Sequence, residues 1–192
     1  MSDEKPGPQR GSRRGRPNDP ERRDRIIDAC LDVVSEVGVA GASHRKIAQR
    51  ASVPLGAMTY YFDGMDELLT EAFTRFGTMI SDRFEERLGA ATNVDEACAA
   101  VAELVLNDVA ADERELVLAQ ELYTLAARDA SFRAITAAWM ARSRAALERH
   151  FDPATARMLD ALIEGLTLHR ALDVETRDPQ EVDDAIRRLV GQ

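Results

Sequence analysis

Apolar residues recur every three or four positions along most of the chain, a spacing that predicts a succession of amphipathic α-helices. The first predicted helix begins at Asp19-Pro20-Glu21, where an N-cap precedes a proline, and it stops at Gly38. A long fourth helix follows Gly64 and runs to about Leu88. No segment shows the strict alternation of a strand, so the pattern predicts an all-α fold of about nine helices.

Polar caps mark where the later helices begin. Asn93 with Glu96 forms a capping-box pattern, and Asp152 and Asp178 each precede a proline. The sequence therefore predicts helix 5 from Asn93 to about Val109, helix 6 over the leucines between 116 and 125, helix 7 from Ser131 to about His150, helix 8 after Asp152-Pro153 and helix 9 after Asp178-Pro179.

Residues 43–62 contain two short helices separated by a break. Ser43 is a good N-cap for the first, and Ser52-Val53-Pro54 ends it because proline cannot continue a helix. A second helix from Leu55 to about Tyr61 follows. Two helices joined by a three- or four-residue turn are typical of the helix-turn-helix, whose second helix enters the DNA major groove.

The same stretch resembles the DNA-binding segment of the TetR family of bacterial transcriptional regulators. The resemblance extends from about residue 21 to 69, and the matching residues are Ser43, Arg45, Ile47, Ala48, Ala51, Val53, Gly56, Tyr60, Tyr61, Phe62, Asp66, Glu67 and Leu68. Three positions depart from the family pattern. Ser52 replaces a usual glycine, Pro54 replaces a serine cap, and Met65 stands where a phosphate-contacting lysine is common.

Charge is distributed unevenly between the two ends. The net charge is −9, yet residues 1–62 hold 11 Lys+Arg against 8 Asp+Glu, a net of +3, while the remainder holds 14 against 26, a net of −12. A basic end on an acidic body indicates a DNA-binding module joined to a separate domain. The predicted domains are a disordered basic arm (1–18), a three-helix DNA-binding domain (19–64) and a helical-bundle effector-binding and dimerisation domain (65–192).

The predicted DNA contacts come from the arm and the helix-turn-helix. Arginines separated by glycine can enter a minor groove, although the arm could also be a solvated tail. Arg45 can address guanine, small residues allow close approach, and the resemblance implies phosphate contacts from the tyrosines. The predicted contact residues are Arg13, Arg14, Arg16, Ser43, His44, Arg45, Lys46, Leu55, Gly56, Ala57, Thr59, Tyr60 and Tyr61. For Tyr60 and Phe62 the alternative is packing against helix 1, which we favour for Phe62.

By the same resemblance, the body binds a small molecule within helices 5 to 8. The polar and aromatic groups that could line such a cavity are Gln120, Tyr123, Trp139, Arg142 and His169. Each has an alternative: the aromatic pair as core, Arg142 as a solvated charge, and His169 at a dimer interface. Two late apolar helices and the resemblance together predict a homodimer formed through helices 8 and 9.

No nucleophile elbow, phosphate loop or metal-ligand spacing is present, so we expect neither an enzyme nor a cofactor. Cys30 and Cys98 lie on apolar faces and should be buried, reduced thiols. Without an apolar run of membrane-spanning length, a cytoplasmic location is expected.

The predicted function is a repressor that a small-molecule effector releases from an inverted-repeat double-stranded DNA operator. Helix 4 is expected to carry the displacement from the effector to the DNA-binding domain. The alternatives are control by a protein partner, constitutive binding, or activation.

Overall fold

A computed structural model describes residues 20–109 and 113–191. Within these ranges every regular element is helical, which confirms the predicted all-α class. The predicted arm lies outside the described residues. The helices are α1 (Pro20–Gly41), α2 (His44–Arg50), α3 (Met58–Tyr61), α4 (Met65–Gly89), α5 (Val94–Glu103), α6 (Glu113–Ala126), α7 (Ala130–Leu147), α8 (Pro153–Leu172) and α9 (Gln180–Val190).

Helix α1 is interrupted where the sequence predicts its end. Gly38 adopts φ 69° and ψ 168°, which no helical residue has, and a short helical turn continues to Gly41. Upstream of the break, Ile26, Ile27, Cys30 and Val34 are buried at helical spacing and form the core side of the DNA-binding unit.

Helix α4 joins the DNA-binding unit to the body. Its first turns bury Leu68 and Leu69, and its later turns bury Phe73 and Phe76 against α7. Phe73 meets Phe132, and Phe76 meets Trp139, both edge-to-face with ring centroids about 6 Å apart. The 25-residue helix is therefore held by aromatic packing along its middle.

The body begins with a helix that changes from α-helical to π-helical form. Asn93 Oδ1 accepts from the N–H of Glu96, as predicted, while the Glu96 carboxylate accepts from Thr92 N rather than from Asn93. The predicted extent of this helix to Val109 is confirmed, but its second half has a different form, because Leu104–Val109 is π-helical. The wider turn rotates the side chains that follow it. Leu104 and Val105 are both fully buried there.

Helix α8 begins at its predicted cap, and α7 begins one residue before its predicted start at Ser131, after a cap that was not predicted. Asp129 caps α7 and Asp152 caps α8, each through a carboxylate that accepts from backbone N–H groups. The predicted end of helix 7 at His150 is three residues too late: α7 ends at Leu147, and the His150 ring instead meets the Leu88 carbonyl oxygen at 2.8 Å. No helix in the described ranges is long and apolar enough to span a membrane.

Candidate DNA-binding face and effector cavity

The first helix of the helix-turn-helix is capped as predicted. The Ser43 hydroxyl accepts from the N–H of Lys46 at 3.4 Å, so this side chain stabilises α2. The turn after α2 passes through Ser52, which is left-handed at φ 54°, and closes when Val53 N donates to the Ala48 carbonyl at 2.9 Å. Ser52 thus takes the conformation for which glycine is favoured.

The second helix differs from the predicted one. Leu55–Ala57 forms a 3₁₀ turn after Pro54, and only Met58–Tyr61 is α-helical. Its apolar side is Met58, which is fully buried, followed by Phe62, which is 3% exposed. The Arg23 guanidinium of α1 lies 5.1 Å from the Phe62 ring centroid. Packing against helix 1 is therefore the role of Phe62.

An exposed face remains on the outer side of this element. Tyr60 is 70% exposed and Leu55 is 55% exposed, so the alternative of Tyr60 packing on helix 1 is wrong. The Tyr60 and Tyr61 rings meet edge-to-face at 4.8 Å. Leu55 and Tyr60, two large exposed side chains beside Gly56, are suited to contact with a groove of DNA.

The polar side chains around this face differ in whether they already form hydrogen bonds or ion pairs within the protein. Arg45 is exposed, and none of the described residues forms an ion pair with it. Lys46 Nζ donates to the Gly41 carbonyl, and the Thr59 hydroxyl donates to the Gly56 carbonyl. His44 Nε2 is shielded from solvent, with no hydrogen-bond partner among the residues described. Arg13, Arg14 and Arg16 lie outside the described ranges.

A small cavity lies inside the body, between α4, α6, α7 and α8. Its volume is about 30 Å³, enough for one or two water molecules. Its lining residues are Ile80, Phe84, Leu116, Ala119, Gln120, Trp139, Ile163, Glu164, Thr167 and Leu168.

Three of the five predicted effector residues gather at this cavity. Gln120 and Trp139 line it, and Tyr123 stacks on Trp139 with centroids 5.7 Å apart and an interplanar angle of 15°. Arg142 lies outside it, paired with Asp82 and Glu85 on α4, and His169 is exposed on α8.

Glu164 and Thr167 line the cavity but were not among the residues predicted from sequence. Thr167 continues the row of Leu159 and Ile163, at intervals of four along the buried face of α8. A polar residue in an otherwise apolar row was the signal that could have identified it. The Thr167 hydroxyl is buried without a hydrogen-bond partner in the described structure.

Glu164 dominates the electrostatics of the cavity. Burial raises the pKa of its carboxyl group, and the nearby Asp160 carboxylate raises it further, while the Tyr123 hydroxyl acts in the opposite direction. Burial also raises the pKa of Tyr123, as do the negative charges of Glu164 and Asp160. Asp160 itself pairs with Arg144 at 3.1 Å.

Ion pairs and a backbone bond connect the walls of the cavity to the DNA-binding unit. On α6, next to Gln120, the Glu121 carboxylate accepts from Val39 N at 3.1 Å, just beyond the Gly38 break. Arg114, also on α6, pairs with Asp32 on α1, and Asp32 lies 3.7 Å from Arg50 of α2. Asp32 thus contacts arginines from both the body and the helix-turn-helix.

Comparison with known proteins agrees with both parts of the structure. Residues 26–72 match the family model "Bacterial regulatory proteins, tetR family", and residues 92–192 match "Tetracyclin repressor-like, C-terminal domain". The HTH-type transcriptional regulator PksA of Bacillus subtilis is 30% identical over 184 residues, covering 90% of this chain and 87% of that protein.

Solved structures show the same architecture. A transcriptional regulator from Streptomyces coelicolor A3(2), SCO7518, is 56% identical with a TM-score of 0.84, over 90% of this chain and all of that one. The multidrug binding protein EbrR, solved with imidazole, is 33% identical with a TM-score of 0.70, over 90% and 96% of the two chains. These relatives are regulators and binding proteins rather than enzymes. From its DNA-binding unit through its helical body, the chain belongs to the TetR family of bacterial transcriptional regulators.

Proposed function

We propose that this regulator binds an inverted-repeat operator as a homodimer and that a small molecule in the cavity releases it. The observation that carries the proposal is the position of α6. One of its sides lines the cavity with Leu116, Ala119 and Gln120, and the adjacent Glu121 bonds to α1 behind the helix-turn-helix. A ligand that displaces α6 therefore acts on the element that positions the DNA-binding face.

Comparison with EbrR supports a ligand in the body. That protein was solved in complexes with proflavin, ethidium and malachite green as well as with imidazole. In the present chain the cavity is far smaller than any such dye, so binding requires the surrounding helices to separate. The buried Thr167 hydroxyl, which has no partner in the described structure, is a group that a ligand could satisfy.

The small cavity favours a second candidate function. With space for only one or two waters, the body could serve as a filled dimerisation domain, and control would then come from a protein partner or be absent. The two candidates differ in whether any small molecule changes the affinity for operator DNA.

The dimer is proposed to form through α8 and α9. Met158 and Leu172 on α8 are 50% and 64% exposed, and a Cβ added to Gly165 between them would have no atom within 4 Å. A partner helix can approach closely at such a site. Because helix-turn-helix dimers contact two half-sites, the operator should have half-sites ~34–36 Å apart, or a multiple of that distance.

Two experiments test the proposal. Selection of bound sequences from a random DNA pool should yield an inverted repeat, and a strictly asymmetric site would contradict the dimer arrangement. A thermal-shift screen with lipophilic compounds should then identify ligands that raise the melting temperature and weaken operator binding. A ligand that stabilises the protein but leaves operator affinity unchanged would contradict release by effector, since the coupling between two sites is reciprocal.

A further inference from the structure

We infer that the cavity selects an organic cation with a flat aromatic body, and that Glu164 is the residue that recognises its charge. The inference rests on the proposed function, since it names the chemical class of that effector. It follows from the charges at the cavity, from its aromatic wall and from a buried hydroxyl.

The charge argument concerns the lining. Glu164 is the one charged residue among the ten that line the cavity. In the described structure no basic side chain pairs with it, and Arg144 pairs at 3.1 Å with Asp160, one turn earlier on α8. A carboxylate partly removed from water without a counter-ion destabilises its surroundings. A cationic ligand would supply that counter-ion, whereas an anion would be repelled.

The groups that face Glu164 from other elements do not supply a positive charge. Helix α6 presents Tyr123, a phenol that is neutral at ordinary pH and whose pKa is raised further by burial. From α4 come Ile80 and Phe84, and from α7 comes Trp139. The pKa of Glu164 is raised by its burial, as expected for a carboxylate without a cationic partner.

The shape argument concerns Trp139. Its indole stacks on Tyr123 at the cavity, and Trp139 also lines a second cavity of about 70 Å³ between α4 and α7. The two cavities share this one side chain, so a shift of the indole adds the volume of one to the other. Arg142 borders the second cavity, but its charge is already balanced by Asp82 and Glu85. A flat ring inserted beside Trp139 gains stacking and cation–π contact together.

Thr167 supplies the third observation. Thr167 is only 6% exposed, and its hydroxyl borders the cavity without a hydrogen-bond partner in the described structure. A hydroxyl in this state favours a ligand that carries a polar group at its edge.

A matched pair of compounds separates charge from shape. The permanent cation 1-methylquinolinium and the neutral 1-methylnaphthalene have nearly the same outline, and 1-naphthoate adds an anion of similar size. Binding to the full-length protein is measured by equilibrium dialysis, with each compound detected by its own absorbance. The expected result is that Glu164→Gln lowers the affinity for 1-methylquinolinium by about tenfold or more, since the ion pair with the carboxylate is lost. The same substitution should leave the affinity for 1-methylnaphthalene within about threefold of that of the wild type.

Control variants and pH complete the test. Glu113→Gln alters an exposed carboxylate on α6 that does not line the cavity, and it should leave the affinity for both compounds within about threefold of the wild type. Binding of the cation should weaken as the pH falls through the pKa of Glu164, because protonation removes the carboxylate charge, and binding of the neutral compound should not. Melting of each variant, followed by circular dichroism, verifies that it is folded.

Several outcomes would overturn the inference: equal losses for the two compounds in Glu164→Gln, tighter binding of the anion than of the cation, or no binding of the cation to the wild type. The proposed function is judged separately from operator binding. If a neutral or anionic compound binds and releases the operator while the cation does not, ligand control stands and the cation specificity is wrong. If no compound in a wider panel affects operator binding, ligand control fails as well.

Discussion

At the scale of single residues, Ser52 carries a conformation that its side chain disfavours. Its φ of 54° lies in the left-handed region, where a residue with a Cβ costs about 1 kcal/mol more than glycine. Ser52→Gly should therefore raise the free energy of unfolding by about 0.5 kcal/mol, since the extra flexibility of glycine in the unfolded chain offsets part of the gain. Urea denaturation measures the change.

Gly64 provides a control of opposite sign, because here a glycine at positive φ is replaced by a residue with a Cβ. It adopts φ 102°, and no atom lies within 4 Å of a Cβ placed there, so Gly64→Ala adds backbone strain without a steric clash. The variant should lose about 1 kcal/mol or more. A shift of the same sign in both variants would show that backbone conformation does not govern stability at these two positions.

The residues predicted to contact DNA should divide into two groups. Arg45 is exposed without an ion-pair partner among the described residues and can make a bidentate contact with guanine, so Arg45→Ala should relax the preference at specific operator positions by ~1–3 kcal/mol. Thr59→Ala should act in the same way. Lys46→Ala should weaken all sequences alike, because Lys46 is predicted to contact phosphate. Identical specificity profiles for the three variants in a selection assay would refute this division.

Which site residues could be predicted depended on the type of signal. The helix-turn-helix carries its signature in a continuous stretch, so the exposed Leu55 and Tyr60 could be predicted from local pattern. Glu164 and Tyr123 come from different helices, and only packing brings them to one cavity. A charged residue between Ile163 and Gly165 is expected to face solvent in an amphipathic helix, so no local pattern distinguishes Glu164 from a surface carboxylate.

At the scale of elements, the caps Asn93 and Asp152 predicted the starts of α5 and α8 within a residue, because the cap side chain itself bonds the first backbone N–H groups. The interruptions inside predicted helices could not be predicted. The 3₁₀ turn at Leu55–Ala57 and the π-helical Leu104–Val109 keep the apolar spacing of an ordinary helix. Tertiary packing decides between such local forms.

The bond between α6 and α1 gives a prediction at this scale. Helix α4 was the element predicted from sequence to carry the displacement caused by a ligand, and the contact of Glu121 with Val39 adds α6 as a second route. Glu121→Ala removes the acceptor for Val39 N and should cost about 1 kcal/mol of stability. It should also reduce the factor by which a bound ligand weakens operator affinity, because one of the contacts that join α6 to α1 is lost while the Arg114–Asp32 pair remains.

The measurement is operator affinity with and without a ligand identified by thermal shift. Glu113→Ala changes an exposed carboxylate at the start of the same helix and should keep the wild-type factor. Were Glu121→Ala to retain that factor too, the Glu121–Val39 bond would not carry the coupling, which would then run through α4 or through the Arg114–Asp32 pair.

At the scale of the whole molecule, charge is concentrated at the two ends in opposite sign. The residues before α1 contain Arg10, Arg13, Arg14 and Arg16, and a dimer would bring eight of these arginines to the operator. Each phosphate neutralised adds about −0.9 to the slope of log affinity against log salt concentration. Deleting residues 1–18 should flatten that slope by at most ~7, and by about half of that if neutralisation is incomplete.

Operator binding by the full-length and shortened proteins over a salt series measures the effect. The deletion should leave the thermal melt and the oligomeric state unchanged, because the sequence of the deleted segment holds almost no apolar residues. Superimposable lines would show that the segment only increases solubility.

The two ion pairs of Asp32 affect which substitutions can alter the response to a ligand. One carboxylate on α1 contacts Arg114 from the body and Arg50 from the helix-turn-helix. Loss of either arginine leaves the other contact in place, so the regulator should stay folded while its response to inducer is altered. If an inducer releases the protein from its operator, a genetic screen for variants that silence a reporter gene even with inducer present should therefore collect substitutions at Asp32 and its two arginines, none of which lines the cavity.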